Sequence, residues 1–332
     1  MWEQRLRLGR RGAQVRPFCQ RATLTPRGYS LPLQRAMSDF GAEASFGRAT
    51  EKLREHYGLE LGASAVRQYT LAHAKALGAV EPDAPVSPVR TLITELDGSM
   101  IPVVKTGVRE GDKRKAKEVF WREARLCCAR APEVVDGLYG ATLGSGQVVG
   151  HLWQETATAA GLGPQTYVHG LGDGARWIQD LFQTQFGTQG KYLVDFWHVS
   201  DYLGQAGAVL APQPPKVWLH EQQMHLLANE VAPVLQALAR GLEPVEQKEA
   251  PVRSAHRYLQ ERQTQLDYAR ARSAGLPIGS GEVESGHRHV IQERLKLAGA
   301  WWLETTAECM LQLRAKRANR LWPKYWSEIL KN

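Results

Sequence analysis

The constraint that most limits the fold is where the strands of this chain stop. Residues 91–200 alternate between β-rich and helical runs, whereas 201–274 hold no segment that reads as a strand. In that second stretch "LHEQQMHLLANEVAPVLQALARGL" and "VRSAHRYLQERQTQLDYARARSAG" place apolar residues three and four apart, the spacing of two long helices. Past them a glycine turn, "PIGSGEVES", opens a last segment, 275–332, that carries acids and bases again. A strand-rich core cut by an all-α insertion at 201–274 is an α/β arrangement with a mixed sheet.

Inside 91–200 the pieces read in order. "TLITELDG" is a short β-rich strand stopped by Gly98, and "WREARLCCA" and "LYGATLGSGQVVGHLW" read as further strands joined by glycine turns. "ATAAGLG" reads as helical, "QTYVHGLGDG" as a strand and turn, "ARWIQDLFQTQF" as a helix, and "GKYLVDFWHVSDYLG" as a strand running into a helix. The four cysteines, Cys19, Cys127, Cys128 and Cys309, form no Cys-x-x-Cys pair. On a strand, adjacent Cys127 and Cys128 point to opposite faces. A disulfide framework and a zinc ribbon are both disfavoured, and the thiols read as reduced and mostly buried.

Ahead of the core, residues 1–29 form a basic arm with seven arginines, Arg5 to Arg27, against one acid, Glu3. It either orders on DNA or is a tail of no consequence. Residues 30–80 hold three short amphipathic segments, with Gly58 placed to end the second and Ser64 to cap the third. Three helices with a tight turn suit a helix-turn-helix-like domain that offers Arg67, Gln68, Thr70 and Lys75 to a DNA groove, although such packing also occurs without DNA. Prolines at 82, 85 and 88 make 81–90 a stiff linker.

The chain of 332 residues carries a net charge of +8, which favours a polyanionic partner. DNA, RNA and an anionic membrane surface all satisfy that charge. No apolar run approaches the roughly 20 residues that span a bilayer, and the arginine-rich start is not followed by a signal-peptide core. The expected location is cytoplasmic.

Three carboxylates stand out by context. Asp97 ends an apolar strand before a glycine, Asp173 lies between Gly172 and Gly174, and Glu284 follows the Gly-Ser-Gly turn near a helix start. A few carboxylates plus substrate phosphate oxygens suffice to bind hard cations such as Mg²⁺ or Mn²⁺. Two such ions about 4 Å apart serve phosphoryl transfer. The competing reading is that these are ordinary turn and N-cap acids.

The strings "ELDGS", "HGLGDGARWI", "VDFWHVSDYL" and "PIGSGEVESGHRHVIQERLKLAGAWW" resemble the catalytic blocks of bacterial insertion-sequence transposases of the Kra type, and more distantly the Lre-type and Mutator-like DDE enzymes. The resemblance covers roughly residues 35–325. It implies a ribonuclease-H-like core with a helical insertion before the last acid, two metal ions per site on Asp97, Asp173 and Glu284, and Glu284 rather than Glu282 as the catalytic glutamate, because it directly precedes Ser285. Relatives often carry a cysteine-rich zinc element near the N-terminus, where this chain has only Cys19.

At 100° per residue Glu284, His287 and Arg288 share one helical face, and Val283, Val290 and Leu297 line the adjacent one. Arg288 is expected beside substrate phosphate. Arg294 and Lys296 are either phosphate contacts or a solvated basic face. Asp195-Phe196-Trp197-His198 resembles the Asp/Cys-x-x-His element of these enzymes, so that His198 either touches DNA or is a satisfied core histidine. Of Trp301 and Trp302, one can stack on a splayed base, or both pack in the core. The expected reaction is metal-dependent cleavage of double-stranded DNA at element ends and joining to target DNA, by a homodimer or larger assembly in the bacterial nucleoid. The rivals are a catalytically silent DNA-binding derivative and a structure-specific nuclease that does not join.

Overall fold

A computed structural model of the chain describes residues 6–7, 14–15, 28–78, 86–106, 117–210 and 214–330. Of the basic arm only Gly28, Tyr29 and a short antiparallel pair, β1 (Leu6–Arg7) and β2 (Gln14–Val15), are described. Cys19 and the linker prolines 82 and 85 lie outside the described residues.

The core is a five-stranded mixed sheet in the order β5-β4-β3-β6-β7. Its strands are β3 (Thr91–Thr106), β4 (Lys117–Arg130), β5 (Leu138–Thr142), β6 (Tyr167–Gly172) and β7 (Gly190–Val194). β3, β4 and β5 pair antiparallel, while β6 and β7 run parallel to β3. The chain is therefore α/β. Strand alternation splits β3 into two faces. Leu92, Thr94 and Leu96 turn towards α4 (Gly146–Ala159) and α5 (Arg176–Phe186), where Trp153, Ile178, Phe182 and Phe186 are buried with Leu92 and Leu96. Trp153 Nε1 donates to Thr94 Oγ1 at 2.5 Å. Ile93, Glu95, Asp97, Ile101 and Val103 occupy the opposite face. Cys127 and Cys128 fall in different core clusters, as the alternation requires.

Three segments differ from the sequence reading. β3 does not stop at Gly98, because β4 pairs with it residue for residue out to Thr106. Residues 146–153, read as strand, are the first part of a helix that runs to Ala159, with Val149, Trp153 and Thr156 buried at intervals of three to four. The two long helices of the insertion are four shorter ones, α7 (Pro215–Leu227), α8 (Val231–Ala239), α9 (Pro251–Glu261) and α10 (Tyr268–Ser273), after α6 (Phe196–Leu210). The first break falls at Asn229, left-handed at φ 62°, whose side chain bonds Asp267 Oδ1 and Ala269 N across the gap.

The N-terminal unit is tri-helical, with α1 (Leu31–Glu43), α2 (Phe46–Tyr57) and α3 (Ala63–Leu77) around Met37, Ala49, Leu53 and Val66. Gly58 ends α2 at φ 64°, a conformation that glycine adopts without strain. Ser64 does not cap α3, because Gly62 holds that position. The unit is packed onto the body. Ala42, Ala74 and Leu77 share one core with Ile101, Val103, Met310 and Leu311 of α13 (Glu304–Ala318), and Trp326 of α14 (Leu321–Ile329). Each large apolar side chain buried this way contributes about 1.5–3 kcal/mol. Among the described residues no helix is long and apolar enough to cross a membrane.

Candidate active site

The sheet brings four acids to one face. The last ladder pair between the parallel strands β3 and β6 is Glu95 with Leu171. Two residues further along each chain stand Asp97 and Asp173, on the same face by alternation and on strands about 4.8 Å apart. The chains still lie side by side there, since a Cβ on Gly172 would sit 3.1 Å from the Leu96 carbonyl oxygen. Asp195 follows β7 at the same level, with its N–H bonded to Gly172 O at 2.8 Å.

Each acid has its own surroundings. Asp97 Oδ1 accepts from Gly98 N at 2.7 Å, and Oδ2 lies 3.1 Å from His287 Nε2, off line for a hydrogen bond. Asp173 Oδ1 accepts from Ala175 N at 2.7 Å, closing an Asx turn. The turn needs the left-handed Gly174, φ 78°, where a Cβ would meet Tyr258 Oη at 2.6 Å. The insertion holds this turn, as Tyr258 Oη donates to Asp173 O at 2.5 Å and Arg262 Nε to Gly174 O at 2.7 Å. Burial raises the Asp173 pKa, Asp97's charge adds to the rise, and the Ala175 N–H, His198 and Arg262 oppose it.

Asp195 and Glu95 are already engaged. Asp195 Oδ1 caps α6 by accepting from Trp197 N and His198 N at 2.6 and 3.0 Å. Its Oδ2 takes Ser280 N and Oγ, both at 2.5 Å, which clasps the Gly-Ser-Gly turn to the end of β7. Glu95, 1% exposed, accepts from Val283 N at 2.8 Å, and burial pushes its pKa up to about 8. The sequence reading missed Glu95, although its place two residues before Asp97 already put it on that face.

Between them these clasps hang α11 (Gly281–Gly286) over the acids. Glu282 is taken up by the body, accepting from Tyr139 Oη at 2.6 Å with Arg130 Nε 3.6 Å away. Glu284 is exposed. Its pKa is raised by burial, then by the charges of Asp195 and Asp97, against His198 and His287. Asp97 and His198 thus act electrostatically on both Asp173 and Glu284.

Beyond α11 the helix widens into a π-helical stretch, His287–Gln292, before α12 (Glu293–Leu295). The i→i+5 bonding of a π turn breaks the 100° phase. His287, at the head of that stretch, is buried against Asp97 on the side that Glu284 turns to the acids, while Arg288 and Lys296 remain exposed. Arg294 is interior, not part of a solvated basic face. It is 2% exposed, lies 4.7 Å from the ring centroids of both Phe46 and Trp302, and donates Nε to Gly41 O at the end of α1. Thr70 is likewise buried, bonded to Val66 O at 2.8 Å, whereas Arg67, Gln68 and Lys75 stay exposed. His198 is half-buried, its ring 5.4 and 5.7 Å from those of Tyr202 and Tyr258. Trp302 packs in the core and Trp301 is exposed.

The donors suit a hard cation in kind. Asp97, Asp173 and Glu284 offer carboxylate oxygens, and a divalent cation would offset the burial and the repulsion that raise Asp173 and Glu284. In number they make an open shell. Among the described residues no group of three or more His, Cys, Asp or Glu is gathered closely enough to hold an ion. Magnesium tolerates such a shell, since water and phosphate oxygens complete its coordination. The acids line none of three neighbouring cavities, of which one of about 740 Å³ lies between β5, α4 and α13.

No protein-family model matches the chain, and no curated protein matches it. Among solved structures it is similar to the Drosophila P element transposase strand transfer complex, at 10% identity and a TM-score of 0.31, over 94% of this chain and 83% of that chain. A likeness of that size carries no argument about function.

Proposed function

We propose that this chain is a DDE-type DNA transposase with a ribonuclease-H-like core, using Asp97, Asp173 and Glu284 to cut and join DNA. The observation that carries the reading is the pairing of Asp97 and Asp173 on one face of neighbouring parallel strands, beneath the exposed Glu284. The motif resemblance to Kra-type insertion-sequence transposases and the helical block between Asp173 and Glu284 support it.

In this reading Asp97, Asp173 and Glu284 hold Mg²⁺ or Mn²⁺. Bound there, the ions supply activation of the attacking oxygen and stabilisation of the leaving one. The protein's part is positional. Tyr258 and Arg262 fix the Asp173 turn, and Glu95 and Asp195 fix the start of α11. His198 stands where its charge offsets that of the acids, and Arg288 and Lys296 are placed to meet phosphates of double-stranded DNA. Two ends must be paired for joining, so the working form is a dimer or larger assembly associated with the nucleoid.

The test uses labelled duplexes carrying the sequences that flank the gene, with Mg²⁺ or with chelator. Metal-dependent end cleavage and joined products are expected. Cleavage without joined products selects the nuclease reading, and binding without any cut selects the silent one.

A further inference from the structure

Between α2, α3, the far end of β3 and residues 300–306 lies a cavity of about 430 Å³ that the acids do not reach. It is of the size of small-ligand sites. Three cations, Arg67, Lys117 and Arg294, line it, and no carboxylate does. Trp301 on its wall is 52% exposed, with Lys117 Nζ 5.2 Å from its ring centroid.

Arg294 is the informative member. Its Nε is satisfied by Gly41 O and its plane lies near two aromatic rings, yet its Nη2, in a residue 98% buried, has no acceptor among the described residues. Buried cationic donors are seldom left unpaired, because desolvation without a partner is costly. Burial, and then Arg314's charge, lower the Arg294 pKa to about 10, so it stays charged at neutral pH. Arg294 lines the cavity, so an oxyanion held there lies beside a buried cation with a donor to spare. Arg67, held by a 3.3 Å bond from Nη2 to Thr306 Oγ1, and Lys117 add two more positive groups at the rim.

We propose that this cavity binds one unstacked nucleotide of a DNA strand, its phosphate among Arg67, Lys117 and Arg294 and its base against Trp301. An exposed indole beside a phosphate-sized basic pocket is the pairing that single-stranded nucleic acid recognises. Trp302 joins this wall to β3 through the bond from Val104 N to its carbonyl oxygen at 2.8 Å. Val104 lies seven residues beyond Asp97, about 23 Å along an extended strand. Measured along β3, the nucleotide is therefore held about 23 Å from Asp97. This deepens the proposed DNA reaction and rests on DNA being the partner, but not on the acids.

The test is fluorescence anisotropy of the full chain with labelled single-stranded dT10 and with an abasic decamer of equal charge. The wild type is expected to bind dT10 about tenfold more tightly. Trp301→Ala is expected to abolish that difference. Arg294 is buried and its replacement can unfold the chain, so Lys117→Gln tests the charge, weakening both oligomers and lowering the salt slope by about 0.7. Equal binding of the two decamers by the wild type, discrimination surviving Trp301→Ala, or displacement of dT10 by a polyglutamate peptide at similar concentration would each overturn the proposal. Failure of the wild type to cleave duplex ends, with discrimination intact, counts against the catalytic reading alone.

Discussion

The two halves of the candidate site are built by different means. Asp97 and Asp173 are placed by the sheet itself, through strand register, the bond from Gly98 N to Asp97 and the turn closed by Ala175 N. Glu284 is placed by suspension. Its helix hangs from Glu95, which takes Val283 N, from Asp195, which takes Ser280, and from the Tyr139–Glu282 bond. A ladder is held by many backbone bonds, whereas the suspended half depends on three side-chain carboxylates. The strand half should therefore be insensitive to substitutions that displace the helix half.

The largest effect tests the acids directly. Asp97→Asn and Asp173→Asn keep shape and turn bonds but remove a charged donor, and should reduce metal-dependent cleavage by on the order of a thousandfold. Gel-shift binding of the same duplex should persist. Cutting retained by both variants would remove the carboxylates from the chemistry. On the helix half, Glu284→Gln should approach the same loss. Glu282→Gln should change cleavage by less than about threefold, because its amide oxygen still accepts from Tyr139 and its loss is a partly exposed ion pair. The reverse order would move the site by two residues.

The suspension itself is tested by pH. Glu95 has its pKa raised from 4.5 to about 8, so between these values the folded state keeps a proton that the unfolded chain releases, and stability falls as pH rises. Asp173 and Glu284 share that sign. His73 has the opposite one. Burial lowers it from 6.5 to about 4, so its contribution grows as pH rises and is complete above 6.5. The window from pH 6.5 to 8 therefore isolates the acids, and urea unfolding should lose up to about 2 kcal/mol across it. Glu95→Gln should remove most of that slope. A slope unchanged by Glu95→Gln would show that Glu95 does not hold its proton in the fold.

The sequence was legible where one backbone period ran undisturbed. Strand alternation placed Cys127 and Cys128 on opposite faces, and helical spacing located all three N-terminal helices. Gly58 was read correctly because a left-handed residue is a local requirement. Legibility failed where tertiary contacts chose between local options. Gly98 marks a strand end in isolation, yet β4 carries β3 through it. Ser64 is a good N-cap by type, but the cap position falls two residues earlier, at Gly62. Glu95 was invisible because a buried acid on an apolar strand shows its purpose only once Val283 N is beside it. Arg294 failed because its charge suggested a solvated face, although at 100° per residue it falls within about 20° of buried Val283.

That last failure gives the smallest and most discriminating prediction, since the helix half carries three basic residues of two kinds. Arg288 and Lys296 are exposed, while Arg294 is buried against Phe46 and Trp302. If the exposed side of this segment meets the duplex, Arg288→Gln and Lys296→Gln should each lower the slope of log affinity against log salt by about 0.9, with urea midpoints unchanged. Arg294→Gln should do the opposite to the midpoint, because it gives up the bond to Gly41 O and its packing with two rings. Lys75→Gln on α3 provides the control for a separate DNA-reading face. A slope that moves only with Lys75 would assign duplex binding to Arg67, Gln68 and Lys75, and leave the helix half to hold Glu284 and nothing more. A slope that moves with Arg288 and Lys296 would make the suspended helix both the carrier of the third acid and the surface that brings the phosphate to it.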